Sequence, residues 1–472
     1  MKSFIYRYNQ LHHVCLKQQK LFYLEKITSI WHFTGVIIMK NIVRATISSA
    51  TFTAGICIPV ATLASGFAII ENSASGMGQA FAGAAAVAED PSTIYFNPAG
   101  MMYLQGTQVT AGLHIIDSNA NFKDKGSTNL ALAGVPQGSE GGNAGDTFYV
   151  PNFYYVRDFG EKYKIGLGVS APFGLGTKYR DAWMGRYTST ESVVKSVNIN
   201  PAIAFRANDK LSIGLGMNFL YVDARLEKDI YQFGLPGPFA GTPDASAKVE
   251  GDSWEIGFNG GFIYEITPMT RIGVHYRSET TQNLEGDVRY RGLSPALAAS
   301  PRFAQQDVAA QLDTPSTFSV SLTHQVNERL TLLGDVTHTK WSNFEELKVV
   351  GDNGAVVTQV EENWEDSYRV AVGMKYQYNK QWILRTGVAH DETPIDDTYR
   401  TSRIPGDDRI WLSFGASYTP TSNLTIDVGY SHLWVEDAKI DEEYPLLTAN
   451  GHLKGEYDSD VDILSVQATW KF

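Results

Sequence analysis

The chain of 472 residues is 43% hydrophobic and 12% aromatic, a composition that supports packed structure and excludes disorder. A formal net charge of −12 excludes a general phosphate-binding surface and so a nucleic-acid partner; two cysteines, Cys15 and Cys57, are too few for a disulfide framework or a cysteine zinc site. Mean hydropathy is −0.18, and no stretch beyond the leader is apolar enough for a membrane helix, which leaves open a membrane barrel whose alternating strands average to neutral hydropathy.

Residues 1–38 carry no export pattern and read as an upstream extension from a start codon assigned too early. Residues 39–64 read as a signal peptide. Lys40 and Arg44 give a basic start, residues 45–61 a small-residue apolar core, and Thr62-Leu63-Ala64 a cleavage site with small residues at both pocket positions. Cleavage after Ala64 removes seven basic residues and one acidic residue, leaving 408 residues with 32 basic, 50 acidic and no cysteine, net −18. An exported chain without thiols cannot scramble disulfides.

Residues 65–106 do not alternate. They are rich in Gly and Ala, hold Ser75-Gly76-Met77-Gly78-Gln79-Ala80-Phe81-Ala82-Gly83, and close with Asn97-Pro98-Ala99-Gly100. Small residues pack closely inside a narrow lumen, so this segment is expected to be a hatch of helix and turn rather than a linker.

From residue 107 to 472 period two dominates. In Leu424-Thr425-Ile426-Asp427-Val428-Gly429-Tyr430-Ser431 every even residue is apolar, the pattern of a strand with one greasy and one wet face. Fourteen strands are predicted near 107–116, 147–158, 163–171, 193–207, 210–226, 249–266, 270–291, 313–325, 329–350, 362–378, 381–391, 409–418, 424–435 and 458–472. Tight turns such as Asn208-Asp209 and Thr267-Pro268-Met269 alternate with longer connections, around 117–146, 172–192, 227–248, 292–312, 351–361, 392–408 and 436–457. Short turns on one side and long loops on the other are what outer-membrane barrels show. The last strand ends Leu464, Val466, Ala468, Trp470, Phe472 on its apolar face, and this terminal aromatic resembles the signal read by the barrel-assembly machinery. The fold class is therefore all-β: a 14-stranded antiparallel transmembrane barrel plugged by a small N-terminal helical hatch, in the Gram-negative outer membrane.

The sequence resembles the FadL family of outer-membrane long-chain fatty acid transporters. The matching text is Ser-Gly-Phe at 65–67, the 75–83 segment, Asn-Pro-Ala at 97–99, Pro-Phe-Gly-Leu-Gly-Thr at 172–177, Asn-Pro-Ala-Ile-Ala-Phe-Arg at 200–206, Tyr-Arg-Ser-Glu at 276–279, Arg-Thr-Gly-Val-Ala at 385–389 and Ile-Pro-Gly-Asp-Asp-Arg at 404–409. The resemblance implies capture of a hydrophobic ligand outside, an internal pocket, and sideways release through a gap in the wall. It implies that Asn97, Pro98 and Ala99 are the hatch motif, that Gly174 lies at a kink making the lateral opening, that Gly261 is a small wall residue facing that gap, and that Asp391 lies near the kink. Lys228 matches a basic residue that meets the ligand's carboxylate. A second basic position of some members is Val360 here, with Arg225, Arg369, Lys375 and Arg385 as replacement candidates.

The residues themselves point along the same route. Phe233, Leu235 and Phe239, with Leu293, Leu297 and Phe303, are an unusual apolar load for external loops; they form either a groove for an acyl chain or a lid. Pro172 and Gly174 break ladder bonding, as a kink or as a turn into the loop. The inward faces carry mixed charges, including Glu279, Arg369, Lys375, Arg385 and Asp427, read as ion-paired struts or, where unpaired, as carboxylate anchors. Glu456, Asp458, Asp460 and Asp462 form an acidic ladder that is either a solvated face or a divalent-cation site shared with lipopolysaccharide.

Nucleophile-elbow, zinc-protease and P-loop motifs are missing, so no enzyme, cofactor or metal is expected; His432 and His338 near serines keep a barrel esterase as a minor alternative. The sequence thus predicts a monomeric passive transporter for long-chain fatty acids or similar hydrophobic molecules, in contact with outer-membrane lipid and lipopolysaccharide. The alternatives are an aromatic hydrocarbon or alkane transporter of the same fold, and a general polar-solute porin.

Overall fold

In the computed structural model, residues 66–128, 137–232, 241–445 and 450–472 are described. The expected upstream extension and signal peptide, with both cysteines, lie outside the described residues, as do Phe233, Leu235 and Phe239.

Fourteen antiparallel strands form one closed sheet. They are β1 (Gln108–Asp124), β2 (Thr147–Asp158), β3 (Tyr163–Ser170 and Gly174–Lys178), β4 (Glu191–Asn208), β5 (Leu211–Ile230), β6 (Ala245–Thr267) and β7 (Thr270–Arg277 and Thr280–Arg291). There follow β8 (Gln306–Thr314 and Ser316–Gln325), β9 (Leu330–Lys340 and Glu346–Gly351), β10 (Val356–Glu361 and Ser367–Gln377), β11 (Trp382–Asp391), β12 (Arg409–Thr421), β13 (Leu424–Val435 and Ala438–Pro445) and β14 (Asn450–Lys471). β1 pairs with β14 from Gln108↔Lys471 to Asp124↔Gly455, which closes the barrel and leaves no long edge.

Period two sets the wall. Val370, Val372, Met374, Phe414, Val428, Leu464 and Val466 project outward and are exposed, as a lipid-facing band requires. Aromatic rings edge that band: Phe159, Tyr163, Tyr378, Trp382 and Trp470 near the short turns, and Tyr149, Trp254, Tyr368 and Trp434 towards the long loops. Inward positions of the same strands are polar or small, such as Ser413, Ser417, Asp427, Ser431, Ser465 and Gln467.

Several strands outrun their predicted ends. β1 continues to Asp124, β14 begins at Asn450, and β13 resumes at Ala438 after Val435. Above the lipid the outward side chains meet water and become polar, as at Lys123 and Asp458, so the greasy-wet alternation fades while the backbone ladder continues. A second difference lies at Ser278-Glu279. The predicted unbroken strand 270–291 would turn Glu279 inward, but the break there shifts the side-chain parity, and Glu279 projects outward to Lys340 at 3.4 Å.

The first described residues form the hatch. Three helical turns, α1 (Ala74–Met77), α2 (Ala84–Val87) and α3 (Thr93–Phe96), and a 3-10 turn over Pro98–Tyr103 pack inside the wall. Ser73 caps α1 by accepting from Gly76 N–H, and Asn97 caps the 3-10 turn by accepting from Ala99 N–H, with Pro98 at the first position where no donor is needed.

Candidate functional site

Backbone meets backbone where the hatch touches the wall. A Cβ at Gly214 would strike the main chain of Pro98 and Ala99, one at Gly273 that of Ala85, and one at Gly387 that of Gln79. These inward wall glycines were visible in the sequence only as small residues in the polar half of each strand. Their use appears once the hatch is in place.

Asn97 is fully buried, and its amide donates to the carbonyls of Ala85 (2.8 Å) and Phe262 (3.0 Å), with Val274 O at 3.3 Å; one side chain thus joins two parts of the hatch to β6 and β7. Glu89 binds Lys375 on β10 and Arg385 on β11, the latter at 2.8 Å. Asp90 accepts from Ser75 (2.6 Å) and from Gln467 on β14 (3.1 Å). Arg369 donates to Ala80 O at 2.9 Å and lies 4.9 Å from the Trp411 ring. Lys375, Arg385 and Arg369 are therefore struts that hold the hatch, and Arg225 is engaged by Glu250 (3.0 Å) and Glu191 (3.5 Å).

The wall opens beside the hatch. β2 pairs with β3 only from Phe153↔Val169 to Asp158↔Lys164, so Thr147 to Asn152 have β1 as their ladder partner and, among the described residues, no strand on the other side. The chain leaves the wall after Ser170, and the upper segment of β3 rejoins β4 alone, from Gly174↔Lys195. Pro172 and Gly174 thus sit in a kink rather than in a plain turn. Their main chain is satisfied by the start of the hatch: Ile69 N–H donates to Pro172 O (2.7 Å) and Gly174 N–H to Phe67 O (2.8 Å). Phe67 is buried among Phe173, Trp341, Phe344 and Trp364, with ring centroids 4.8 to 5.8 Å away.

Gly261 and Asp391 contact the hatch on either side of the lumen. Gly261 is on β6, three strands from β3, where a Cβ would come 2.6 Å from Asn97 Oδ1; it is small because it seats the hatch motif. Asp391 ends β11 and faces Arg409 at 3.6 Å, lining a chamber of about 120 Å³ that also meets the hatch at Ala68 to Glu71.

Above the hatch, a cavity of about 220 Å³ holds Lys228 together with Arg302 and Arg403. Lys228 is on β5 beyond Tyr221, above the aromatic edge. Arg302 is set by the β7–β8 connection, whose helical turns Pro295–Ala298 and Pro301–Phe303 are capped by the hydroxyls of Ser294 and Ser300. Arg403 comes from the β11–β12 loop and is held by Thr188 O (2.6 Å) and Ser192 Oγ (2.9 Å). Among the described residues none of these three cations has an ion pair. Burial, and after it the neighbouring Arg403, pulls the Lys228 ammonium down to about 8. Glu442 on the upper arm of β13 is pushed up to about 7 by burial against the pull of Arg403. Leu226 and Val249 are shared with an adjoining apolar recess walled by Val194, Leu284, Val308 and Leu312.

The family sequence profile described as "Outer membrane protein transport protein (OMPP1/FadL/TodX)" matches residues 55–472. The chain belongs to this family. It is 29% identical over 401 residues to a "Long-chain fatty acid transport protein" of Escherichia coli O6:H1, covering 80% of this chain and 88% of that one. It is 31% identical over 387 residues to a "47 kDa outer membrane protein" of Pasteurella multocida, covering 78% and 87%. The crystal structure of a Pseudomonas aeruginosa FadL homologue superimposes with a TM-score of 0.80 at 25% identity, covering 86% of this chain and 100% of that one. The Pseudomonas putida toluene transporter TodX shares the fold, with a TM-score of 0.62 at 17% identity over 81% of this chain and 94% of that one. This family member is an outer-membrane transport protein rather than an enzyme.

The remaining sequence candidates fall into place around that frame. Val360 pairs with Leu347 in the upper arm of β10, while Val357 and Thr358 of the same arm line the cationic cavity. Leu297 is buried, and Phe303 lines the cavity and packs edge-on to Tyr290, with centroids 5.5 Å apart. Arg302 and Arg403 were missed because each lies in a connection without periodicity; the one signal was a lone arginine beside apolar or small residues. In the acidic ladder, Asp458 binds Lys123 (2.8 Å) and Asp462 binds His432 (2.9 Å), and His338 binds Asp366 (3.1 Å), so both histidines expected near serines are directed to carboxylates.

Proposed function

We propose that this barrel carries long-chain fatty acids, or hydrophobic carboxylates like them, passively across the outer membrane. The apolar chain occupies the recess of Val194, Leu226, Val249, Leu284 and Leu312, and the carboxylate sits against Lys228, Arg302 and Arg403. The observation that carries the reading is three cations, none in an ion pair among the described residues, against one lining carboxylate, Asp229, around a cavity that adjoins an apolar recess. A buried cation is costly unless an anion meets it, and a carboxylate supplies that anion with charge-assisted hydrogen bonds. Leu293, Leu297 and Phe303 guide the ligand from outside, and Pro172 and Gly174 mark the exit between β2 and β3. A wall gap spares a hydrophobic molecule the water of the periplasm.

The hatch argues against an open porin for polar solutes, and planar-bilayer conductance near zero is the expected result; a large steady conductance would restore the porin reading. A hydrocarbon or aromatic transporter of the same fold gives the cations no role. Binding of a fatty acid and of the matching alkane to purified protein separates the two: clear preference for the acid supports the proposal, and equal affinity overturns it. Replacing Asn97-Pro98-Ala99 should impair uptake while the barrel still assembles. Phe472, exposed at the end of β14, is read as the contact for the assembly machinery, and the outward rim with Asp458 and Asp460 as the face towards lipopolysaccharide. The route is proposed for a monomer.

A further inference from the structure

The wall has a second discontinuity, between β6 and β7. Their ladder runs from Ser246↔Arg291 to Asp252↔Glu285 and resumes only at Asn259↔Arg277. Between these points Ser253 to Phe258 face Ser278 to Leu284 without register. On its other side β6 stays fully paired with β5 through the same residues, so the strand itself is not frayed. Side chains bridge most of the seam: Ser253 Oγ donates to Gln282 Oε1 (2.8 Å) and Asn283 Nδ2 to Glu255 Oε1 (2.9 Å), while at its lower end Phe258 N–H donates to Ser278 Oγ (3.0 Å) and Ser278 N–H to Phe258 O (2.9 Å).

The lips of the seam differ. On β6, Trp254, Ile256 and Phe258 project outward with 57%, 64% and 58% of their surface exposed, the greasy edge of the band. On β7 the outward residues are Glu279, Thr281 and Asn283, all polar and exposed. Directly behind stands the apolar recess, for Leu284 closes the seam and lines the recess, as do Glu250 and Gly251 just above it. Above the Ser278–Phe258 bond, a few side-chain hydrogen bonds thus separate the outer leaflet's hydrocarbon from an apolar chamber.

We infer that the β6–β7 seam is a lateral entry port through which neutral hydrocarbon chains already dissolved in the outer leaflet reach the apolar recess without passing the cationic cavity. This rests on the transport reading and extends it to a second ligand class, uncharged hydrocarbons, for which Lys228, Arg302 and Arg403 offer nothing. Opening needs rotamer changes at Ser253, Glu255, Gln282 and Asn283 and, at the lower end, loss of the Ser278–Phe258 bonds, but no run of ladder pairs has to break. Water is kept out by the greasy lip on one side and Leu284 on the other.

The test uses the exported chain, which has no cysteine of its own. Ser253→Cys with Gln282→Cys, joined by a short thiol-specific cross-linker, closes the seam; Phe262→Cys with Val274→Cys, a pair already in register, is the control. Proteoliposomes preloaded with a long-chain alkane in the outer leaflet, and separately given oleate from the aqueous side, are followed for transfer to an internal acceptor. The expected result is that the seam cross-link slows alkane transfer several-fold, leaves oleate transfer unchanged, and is reversed when a cleavable linker is cut. Glu255→Ala with Asn283→Ala should do the opposite and speed alkane transfer alone. Alkane transfer indifferent to both changes overturns the port, as does an equal fall for alkane and oleate, which would place the seam on a shared route. Failure of the uncross-linked protein to move oleate while it moves alkane would overturn the carboxylate reading and leave the port standing.

Discussion

In the lower lumen Asn97, Glu89 and Asp90 each bond to the barrel wall, whereas in the upper lumen Lys228, Arg302 and Arg403 surround a cavity and, among the described residues, form no ion pair. Both regions lie inside the same strands and both are rich in charge, so charge alone does not mark a ligand site. What separates them is ion pairing: Glu89 joins Lys375 and Arg385, while the three upper cations have no salt bridge among the described residues. A buried polar group whose partners are supplied by the fold fixes structure, and one left waiting for a partner selects a ligand. The wall repeats the contrast: where hatch and strand meet, glycines admit backbone to backbone, while at β2–β3 and β6–β7 the ladder is interrupted and bridged by other groups.

The sharpest way to break the comparison is to spoil the fixed half. Gly214→Leu puts a side chain into the space held by Pro98 and Ala99, so the hatch cannot seat; we expect an assembled barrel whose ion conductance in planar bilayers rises well above the wild-type level. Unchanged conductance would show that the hatch is held by other contacts. Next in size, Glu89→Gln leaves Lys375 without its carboxylate and Arg385 with only the more distant Asp427, at 3.7 Å. Removing one member of a buried pair typically costs ~3–5 kcal/mol, so the denaturant midpoint of hatch release, read by tryptophan fluorescence, should fall clearly, and a double change with Lys375→Met should recover part of the loss.

The two halves also differ in how far the sequence revealed them. Fourteen strands were legible because the lipid-facing residues, such as Val370, Val372 and Met374, impose an alternation that packing then only confirms. The strand extensions above the membrane were not, since Lys123 and Asp458 carry no greasy-wet signal. The hatch motif was legible through Asn97 and Pro98, a cap followed by a proline, but its seats at Gly214 and Gly273 were not, because a glycine facing inward looks the same whether it touches backbone or water. Lys228 was reached only through a resemblance. Its partners Arg302 and Arg403 are brought to it by connections from β7 to β8 and from β11 to β12, and closure of the barrel over such sequence distances leaves no local trace. The close approach of Gly261 to Asn97 was hidden for the same reason: which contact a glycine serves is a property of the assembled lumen.

The waiting half is sharpened by Lys228→Ala. A hydrogen bond to a charged group contributes roughly 1.5–3 kcal/mol, so fatty-acid affinity should weaken by about ten-fold or more, with alkane affinity unchanged. Equal losses for both ligands would remove Lys228 from the carboxylate site. Arg403→Met should resemble it, and Lys375→Met, on the satisfied side, should leave affinity alone.

The smallest expected effect is a pH dependence, and its sign follows from burial. Lys228 lies above the membrane-spanning part of β5, and burial lowers its ammonium to about 8. The charge is therefore present below that value and lost as pH rises through it, so affinity for a carboxylate should decline above about pH 8. Glu442 acts earlier and in the same direction. Burial raises its carboxyl to about 7, and above that pH its negative charge competes with the ligand for Arg403 and Lys228. A bound carboxylate favours the ammonium and pushes the decline upward, so dissociation constants should bend more gently than a single titration with an unfilled site would. Arg302 and Arg403 remain charged throughout, which keeps the loss below that of Lys228→Ala. In Lys228→Ala the bend near 8 should vanish and the one near 7 remain; in Glu442→Gln the reverse should hold. Affinity that stays flat between about pH 6 and about pH 9 in the wild type would mean that neither group senses the ligand, and that the upper lumen is no less satisfied than the lower.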